Sequence, residues 1–220
     1  MVRPDGEIRT PSSFDHSAFD ALLRTYVADD GLVDYKGIKT NDALTPYLKE
    51  LASTDPSNLS EDEQFAFWIN AYNALTLKLI VDNYPTKSIL RLTPVGYIIP
   101  KVTTPFDRTV GVVGGEEKTL NDIEHSILRP EFKDPRLHFT IVCAAMSCPP
   151  LRTEAYTGSR LDEQFDDQGR IFLHDRSKNA IPFDGETIKI SKIFKWFMED
   201  FAEDDEGLQQ FLAPYFEGEI

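Results

Sequence analysis

The sequence predicts an α+β fold, with a mainly helical N-terminal half whose buried central helix packs on a small, mostly antiparallel sheet. Apolar residues recur at helical spacing over several long stretches, whereas runs of β-forming residues are few and short. Helix-like and strand-like segments do not alternate in the regular order of βαβ units. Residues 1–13 lack periodicity and are expected to form a flexible arm, which leaves residues 14–220 as a single globular domain.

Three helices are predicted in the N-terminal half. The first begins near Phe14 and the second between residues 41 and 45, each with apolar residues at steps of three and four. The third is the central helix, SEDEQFAFWINAYNALTLKLIVDNYP, in which Ser60 and Glu63 have capping-box spacing and Pro85 marks the end. Its apolar residues surround the helix almost completely, which indicates a position inside the core.

A hairpin or loop is predicted next, and a short helix follows it. Residues 95–118 alternate weakly between apolar and polar side chains, with the two glycines at 114–115 as the expected turn. The segment TLNDIEHSILRP predicts a helix that Thr119 and Asp122 cap and that Pro130 ends.

The C-terminal half contains the other strand candidates and a last helix. RLHFTIVCAA at 136–145 is rich in β-forming residues and predicts a strand, and IFLHD with ETIKI predicts a further strand pair. SKIFKWFMEDF predicts an amphipathic helix that Ser191 caps, with Phe194, Phe197 and Phe201 on one side.

Charge and hydropathy exclude two classes of partner. The 220 residues carry a net charge of −14 and no basic run, so the chain is expected to repel nucleic acid. Apolar runs are shorter than the ~20 residues of a membrane helix, so no integral membrane segment is expected.

Cys143 and Cys148 are the only cysteines of the chain, and the sequence leaves four roles open for them. One is a nucleophile supported by the other, or both form a disulfide, hold a metal ion, or fill the core as small apolar side chains. In a regular strand Cys143 faces the core. Cys148 lies in a loop that Pro149 makes rigid, so it is the one better placed to meet a substrate.

The short helix places Glu124 inside its apolar face and His125 at the edge of that face. A carboxylate there must be paired or have a raised pKa. Either Glu124 pairs with Arg129 or Arg136 as a structural ion pair, or Glu124 and His125 belong to a site with a cysteine nucleophile.

Asn70 and Asn73 in the central helix must find partners for their buried amide groups. They either tie the helix to a neighbouring loop, or one of them orients an imidazole or donates to an oxyanion. His16 and His174 have polar neighbours and are predicted to be solvated. No cofactor is expected, and a metal site has no typical spacing among its candidate ligands, which are Glu124, His125, His138, Cys143 and Cys148.

Five ordered segments resemble the bacterial and plant family called domain of unknown function 547. These segments are AFWINAYNALTLKLI, LNDIEHSILRP, DPRLHFTIVCAAMSCPPLR, EAYTGSRLDEQFD and ISKIFKWFMEDF. The resemblance covers residues 14–215 and implies a compact α+β domain, distantly similar to papain-like and transglutaminase-like thiol enzymes. It also implies a periplasmic or exported protein whose signal peptide has been trimmed from this chain, with a cytoplasmic location as the alternative.

The resemblance assigns its motif residues to positions of this chain. They are Trp68, Asn70, Tyr72, Asn73, Glu124, His125, Arg136, His138, Cys143, Cys148 and Pro149. The papain-like fold has its nucleophilic cysteine at the start of the central helix, whereas this chain has WINAYN there. Either the site is rearranged, with a cysteine from the predicted strand or its following loop beside His125, or the fold persists without that catalysis.

Two functions of different class follow. The first is a thiol-dependent hydrolase or acyl transferase that acts on an amide or ester bond. Its nucleophile would be Cys148 or, as second choice, Cys143. His125 would be the base and Glu124 its orienter, and Asn70, Asn73 or backbone N–H groups would be the oxyanion donors. His138, Arg136, Tyr72 and Trp68 would bind a peptide or small-molecule ligand. The alternative is a non-catalytic binding or scaffolding domain with a buried Glu/His/Arg/Asn network, and a disulfide between the cysteines would abolish thiol catalysis.

Overall fold

The computed structural model describes residues 13–92, 104–144, 148–179 and 189–216. The expected N-terminal arm, the segment VGYIIPKV and most of ETIKI lie outside these ranges. The helices are α1 Ser17–Tyr26, α2 Tyr35–Asn41, α3 Thr45–Ser53, α4 Glu61–Asp82, α5 Leu120–Ile123, α6 Arg129–Phe132, α7 Leu137–Thr140, α8 Leu161–His174, α9 Ile193–Trp196, α10 Met198–Phe201 and α11 Asp205–Leu212. The strands are β1 Thr109–Val113 and β2 Glu116–Thr119.

The predicted central helix is confirmed as α4. Its residues from Phe65 to Leu77 are all buried, as the apolar pattern around the whole helix requires. The start of the helix is as predicted, but the side chain of Ser60 makes no capping hydrogen bond. Glu63 instead accepts backbone hydrogen bonds from Phe14 and Gly158, so it ties two distant loops to the first turn of the helix.

The predicted hairpin is confirmed between the two strands. β1 and β2 pair in antiparallel fashion, and Gly114 and Gly115 form the turn with φ angles of 63° and 80°. Positive φ at both positions suits glycine and matches the twist of the strands. The hairpin lies on α4, because a Cβ atom at Gly111 would come within 2.6 Å of Leu75. The α+β fold class is therefore confirmed.

The helix predicted from TLNDIEHSILRP begins as expected but continues beyond its proline. Thr119 and Asp122 form the predicted capping box, and a π turn at Glu124–Leu128 then joins α5 to α6. The prediction that Pro130 ends the helix is wrong. Proline has no backbone N–H, but at the first turn of a helix this group has no hydrogen-bond partner anyway. Pro130 stands at the start of α6, directly after the wider π turn.

The predicted strand at residues 136–145 is wrong. The chain forms the short helix α7 and becomes extended only from Ile141. Its backbone forms hydrogen bonds with the side chain of Asn73 in α4 instead of with a strand. This tertiary contact outweighs the β propensity of the segment. The strand predicted at IFLHD is also wrong, because these residues belong to α8, where Phe172 and Leu173 pack in the core.

The predicted C-terminal amphipathic helix is two short helices, α9 and α10, separated by Phe197. Phe194 and Phe201 point into a second apolar cluster that also contains Phe139 and Phe172. Among the described residues, no helix combines the length and apolar character needed to cross a membrane.

Candidate functional site

The two cysteines form a disulfide, Cys143–Cys148. Neither is a free thiol, so the predicted nucleophile does not exist in this oxidised form. Of the four roles that the sequence left open, the disulfide is the arrangement that the structure has. Cys143 was expected to face the core, but it is only half-buried, because the chain is not a regular strand at this point.

A pocket of about 340 Å³ lies beside the disulfide, and Cys148 forms part of its wall. Most of the other lining side chains are apolar, among them Leu32, Val33, Leu77, Val142 and Leu151. Its volume lies within the range of ligand pockets in proteins.

Gly31 makes the pocket possible by bringing the loop between α1 and α2 against Pro150. A Cβ atom at position 31 would come within 2.5 Å of the Pro150 side chain, and the φ angle of Gly31 is +78°. Both the close approach and the positive φ favour glycine. The pocket wall therefore depends on a glycine at this position.

The pocket contains one buried polar group without a partner. Thr76 of α4 is 0% exposed, and its Oγ1 makes no hydrogen bond. Such a hydroxyl is costly, since it has lost its hydrogen bonds to water and gained none in the protein. Tyr35, whose pKa is raised by burial, and Lys178, which is paired with Asp175 at 2.7 Å, add polar groups to the same pocket.

A separate polar cluster surrounds the π turn, and we call it the π-turn cluster. Its members are Tyr72, Glu124, His125, Arg129, His138 and Asp200. Arg129 forms a bidentate pair with Asp200 at 2.6 and 2.8 Å, and its NH1 group lies 3.2 Å from Nδ1 of His125. π turns are frequent at functional positions of helices, and this one presents two of the predicted site residues.

His138 forms the buried side of the π-turn cluster. It is 1% exposed, stacks on Phe197 at 4.1 Å, and donates from Nε2 to Asp200 at 2.6 Å. Burial lowers the pKa of His138, while the hydrogen bond with Asp200 opposes this shift. Burial also acts to raise the pKa of Asp200, but hydrogen bonds from Arg129 and His138 outweigh it and keep the pKa below its usual value. The pair is therefore a neutral imidazole and a carboxylate near neutral pH.

Glu124 is buried and accepts a hydrogen bond from Tyr72 at 3.2 Å. Burial raises the pKa of Glu124, although nearby His125 and the Tyr72 hydroxyl act in the opposite direction. Glu124 is thus buried with a raised pKa, as its place on the apolar face predicted, but its hydrogen-bond donor is Tyr72 rather than an arginine. Glu124 is hydrogen-bonded to Tyr72 and His125 to Arg129, so neither of these two bonds connects to a cysteine.

Asn70 and Asn73 each clamp a segment of backbone to α4. Asn73 donates to the carbonyl of Thr140 at 2.9 Å and accepts from the N–H of Val142 at 3.0 Å. Asn70 makes the same paired bonds to Tyr156, at 2.7 and 3.0 Å. The two amides therefore hold both ends of the segment that contains the disulfide. Their groups are engaged as loop ties, which was the first of the two roles considered for them.

Arg136 and Trp68 lie outside both the pocket and the π-turn cluster. Arg136 pairs with Asp134 and Asp162, both at 2.7 Å, and covers the ring of Phe165. The predicted pairing of Glu124 with Arg136 is therefore wrong. Trp68 is buried in the main core.

His16 contradicts the expectation that it is solvated. It is 4% exposed, and its Nδ1 lies 2.7 Å from the hydroxyl of Tyr47 and 3.1 Å from Nδ2 of Asn70. The amide nitrogen of Asn70 can only donate, so Nδ1 accepts and the proton lies on Nε2, which is buried without a hydrogen-bond partner. Burial lowers the pKa of His16 to about 4. The residue is part of the core around α4. His174, by contrast, is exposed.

The structure thus places eight of the ten predicted site residues in three groups, and Arg136 and Trp68 lie outside them. Tyr72, Glu124, His125 and His138 meet in the π-turn cluster. Cys148 lines the pocket and is bonded to Cys143, and the two asparagines hold the ends of the segment that contains this disulfide. Sequence reasoning missed Asp200 and Thr76. Thr76 carried a signal, a hydroxyl in a helix that is otherwise apolar, whereas Asp200 is one of many acidic residues near the C-terminus. No group of three His, Cys, Asp or Glu side chains in the described ranges is arranged to hold a metal ion.

The fold and the site define an α+β domain with a mostly apolar pocket beside a disulfide and a buried His–Asp–Arg cluster. The chain belongs to the family described as "Protein of unknown function, DUF547", which matches residues 56–173. This range contains α4, the π turn and both cysteines. No curated protein and no solved structure matches the chain, so the distant similarity to papain-like and transglutaminase-like enzymes gains no support from them.

Proposed function

We propose that this protein is a binding domain that holds a small ligand, or one side chain of a peptide, in the pocket beside the disulfide. The observation that carries the proposal is the buried hydroxyl of Thr76, which lies in the wall of an apolar pocket without a hydrogen-bond partner. The hydroxyl has no solvent-accessible surface in the unliganded protein, so the Thr76 side chain must turn towards the pocket before a ligand can bond to it and remove the cost of leaving it unpaired.

The chemistry of the pocket favours an uncharged ligand with an apolar body and one hydrogen-bonding group. Apolar side chains form most of the wall, and its buried polar group, Thr76, can both donate and accept. Lys178 is neutralised by Asp175, so it offers no free positive charge to an anion. The net charge of −14 also disfavours anionic ligands.

The mouth of the pocket has a feature of a contact surface. Leu32 lines the pocket and is 54% exposed, so an apolar ligand at the mouth would cover part of this side chain. Tyr35, partly buried in the same pocket, adds an aromatic ring with a polar end.

A thiol hydrolase would require a different state of the cysteines. It needs a thiolate next to a base, whereas the cysteines are joined to each other and Nδ1 of His125 is bonded to Arg129. The binding proposal requires no change in the oxidation state of the protein.

The test compares toluene and benzyl alcohol, two probes with the same ring that differ in a hydroxyl group. We expect both to shift backbone amide resonances of pocket residues in NMR titrations, and benzyl alcohol to bind more tightly. Thr76→Val should weaken benzyl alcohol about 10-fold, as expected for about 1.4 kcal/mol from one hydrogen bond to an otherwise unpaired group, and leave toluene unchanged.

Thr25→Val is the matched control, because the hydroxyl of Thr25 is exposed on α1 and bonds to the Ala21 carbonyl. This variant should bind both probes as the unchanged protein does. Equal binding of toluene and benzyl alcohol, or shifts that map away from the pocket, would contradict the proposal.

A further inference from the structure

The position of the disulfide in the pocket wall leads beyond ligand binding. Cys148 lines the pocket, whereas Cys143 is not part of its wall, and both cysteines are partly exposed. A molecule that occupies the pocket therefore meets one sulfur of the bond and not the other.

The bridge is poorly placed for a purely structural role. The two cysteines are separated by only 5 positions in the sequence, so the bond closes a small ring and does not join distant elements. A short ring restricts the unfolded chain less than a long one and adds less stability. The loop it closes is already held to α4 on one side through Asn73 and Val142.

The backbone next to the bridge is strained. Ala144 has a φ angle of +54°, in the left-handed region that costs a residue with a side chain about 1–2 kcal/mol. Ala144 directly follows Cys143, so the strained residue adjoins one end of the bridge. Strain of this kind is found at sites where a bond or conformation changes.

We infer that the Cys143–Cys148 disulfide is a thiol–disulfide exchange site that oxidises thiols with an apolar body bound in the adjoining pocket. The inference rests on the proposed function, since the pocket supplies the selectivity. The substrate class is an apolar thiol, either a small molecule or a cysteine with apolar neighbours in a peptide.

The reaction balances in two steps. A substrate thiolate attacks Sγ of Cys148, a substrate–Cys148 disulfide forms, and the electron pair of the broken bond leaves on Cys143, which takes a proton from water. A second substrate thiolate then attacks the substrate sulfur, releasing the oxidised substrate and the Cys148 thiolate. Two substrate thiols become one disulfide, and the protein disulfide becomes two thiols.

The test measures how fast the oxidised protein reacts with benzyl mercaptan and with 2-mercaptoethanesulfonate. A synthetic peptide of residues 141–150 with the same disulfide is the reference, because it has the bond without the pocket. We expect the ratio of the two rate constants, apolar over charged thiol, to be at least 10-fold higher in the protein. A ratio equal to that of the peptide would overturn the inference.

The site of attack gives an independent readout. When the reaction is quenched with iodoacetamide, mass spectrometry should find benzyl mercaptan on Cys148 and the alkyl group on Cys143. The reverse pattern would contradict the assignment of Cys148 as the attacked sulfur.

Leu32→Asp should lower the rate with benzyl mercaptan towards that of the peptide, because it places a charge at the mouth of the pocket. Ile171→Asp is the matched control, since Ile171 is 44% exposed on α8 and the change in net charge is the same. An equal effect of both variants would count against the pocket as the source of selectivity.

Benzyl alcohol separates the two proposals, because it has no sulfur. If it binds in the pocket while the thiol ratio equals that of the peptide, the exchange activity is wrong and the binding proposal stands. If it does not bind and the ratio equals that of the peptide, both are wrong.

Discussion

Acidification should destabilise this protein through His16. In the folded state His16 is buried, and its Nδ1 accepts hydrogen bonds from Tyr47 and Asn70. Protonation would put a proton on Nδ1, which faces the donating amide nitrogen of Asn70, and would bury a charge without an ion-pair partner. The folded protein therefore keeps His16 neutral down to a pKa of about 4, against 6.5 for the ordinary group.

The sign and size of the effect follow from proton linkage. Between pH 6.5 and 4 the unfolded chain binds a proton at His16 and the folded protein does not, so the free energy of unfolding falls as the pH falls. Each pKa unit corresponds to 1.36 kcal/mol, so the shift to about 4 predicts a loss of about 3 kcal/mol over this window. Above pH 6.5 His16 should contribute no pH dependence.

Urea denaturation of the unchanged protein and of His16→Gln, from pH 7.5 to 4, measures this loss. Glutamine does not titrate, and all other ionisable groups are common to both proteins. The difference between the two free energies of unfolding should therefore change by about 3 kcal/mol, whatever the variant costs at neutral pH. A difference that stays constant within about 0.5 kcal/mol would refute the reasoning, as would an NMR titration that finds the pKa of His16 near 6.5.

Three further predictions concern stability and use urea denaturation at pH 7. Thr76→Val should raise the free energy of unfolding by about 1 kcal/mol, because it removes an unpaired buried hydroxyl. Thr140→Val should lower the free energy of unfolding by about 1 kcal/mol, because the hydroxyl of Thr140 donates to the Leu137 carbonyl. A change of the same sign in both variants would contradict the assignment. Asn73→Leu should cost about 3 kcal/mol by leaving two buried backbone groups unpaired, and a cost below about 1 kcal/mol would mean that these groups find other partners. Arg129→Lys should cost about 1–3 kcal/mol, since lysine cannot replace the bidentate contact with Asp200, and an unchanged stability would show that this pair adds nothing.

Local sequence signals predicted the elements that depend on local physics. The two glycines at 114–115 predicted the hairpin turn, because positive φ at both positions is open to few other residues. The apolar character of α4 on all sides predicted its burial, since no face of it could stay in water. Thr119 and Asp122 predicted the start of α5 through hydrogen bonds that span only three residues.

The strand prediction at 136–145 failed because β propensity reports how side chains fit a sheet, and no strand partner reaches this segment within the described residues. The side chain of Asn73 bonds instead to the backbone of Thr140 and Val142, which are 67 and 69 positions further along the chain. The predicted end of the short helix at Pro130 was also wrong, because the π turn before Pro130 changes which backbone groups form hydrogen bonds.

The sequence by itself determined the fold class, the buried central helix, the hairpin and the list of chemically capable residues, because each depends on patterns within one helix, strand or turn. Only the tertiary structure decided how those residues are used. It joined the cysteines to each other, paired His138 with Asp200 from 62 positions away, buried His16 and left Thr76 unpaired in a pocket. The physical reason is that hydrogen bonds, ion pairs and burial depend on distances in space, and residues far apart along the chain carry no local signal of their contact.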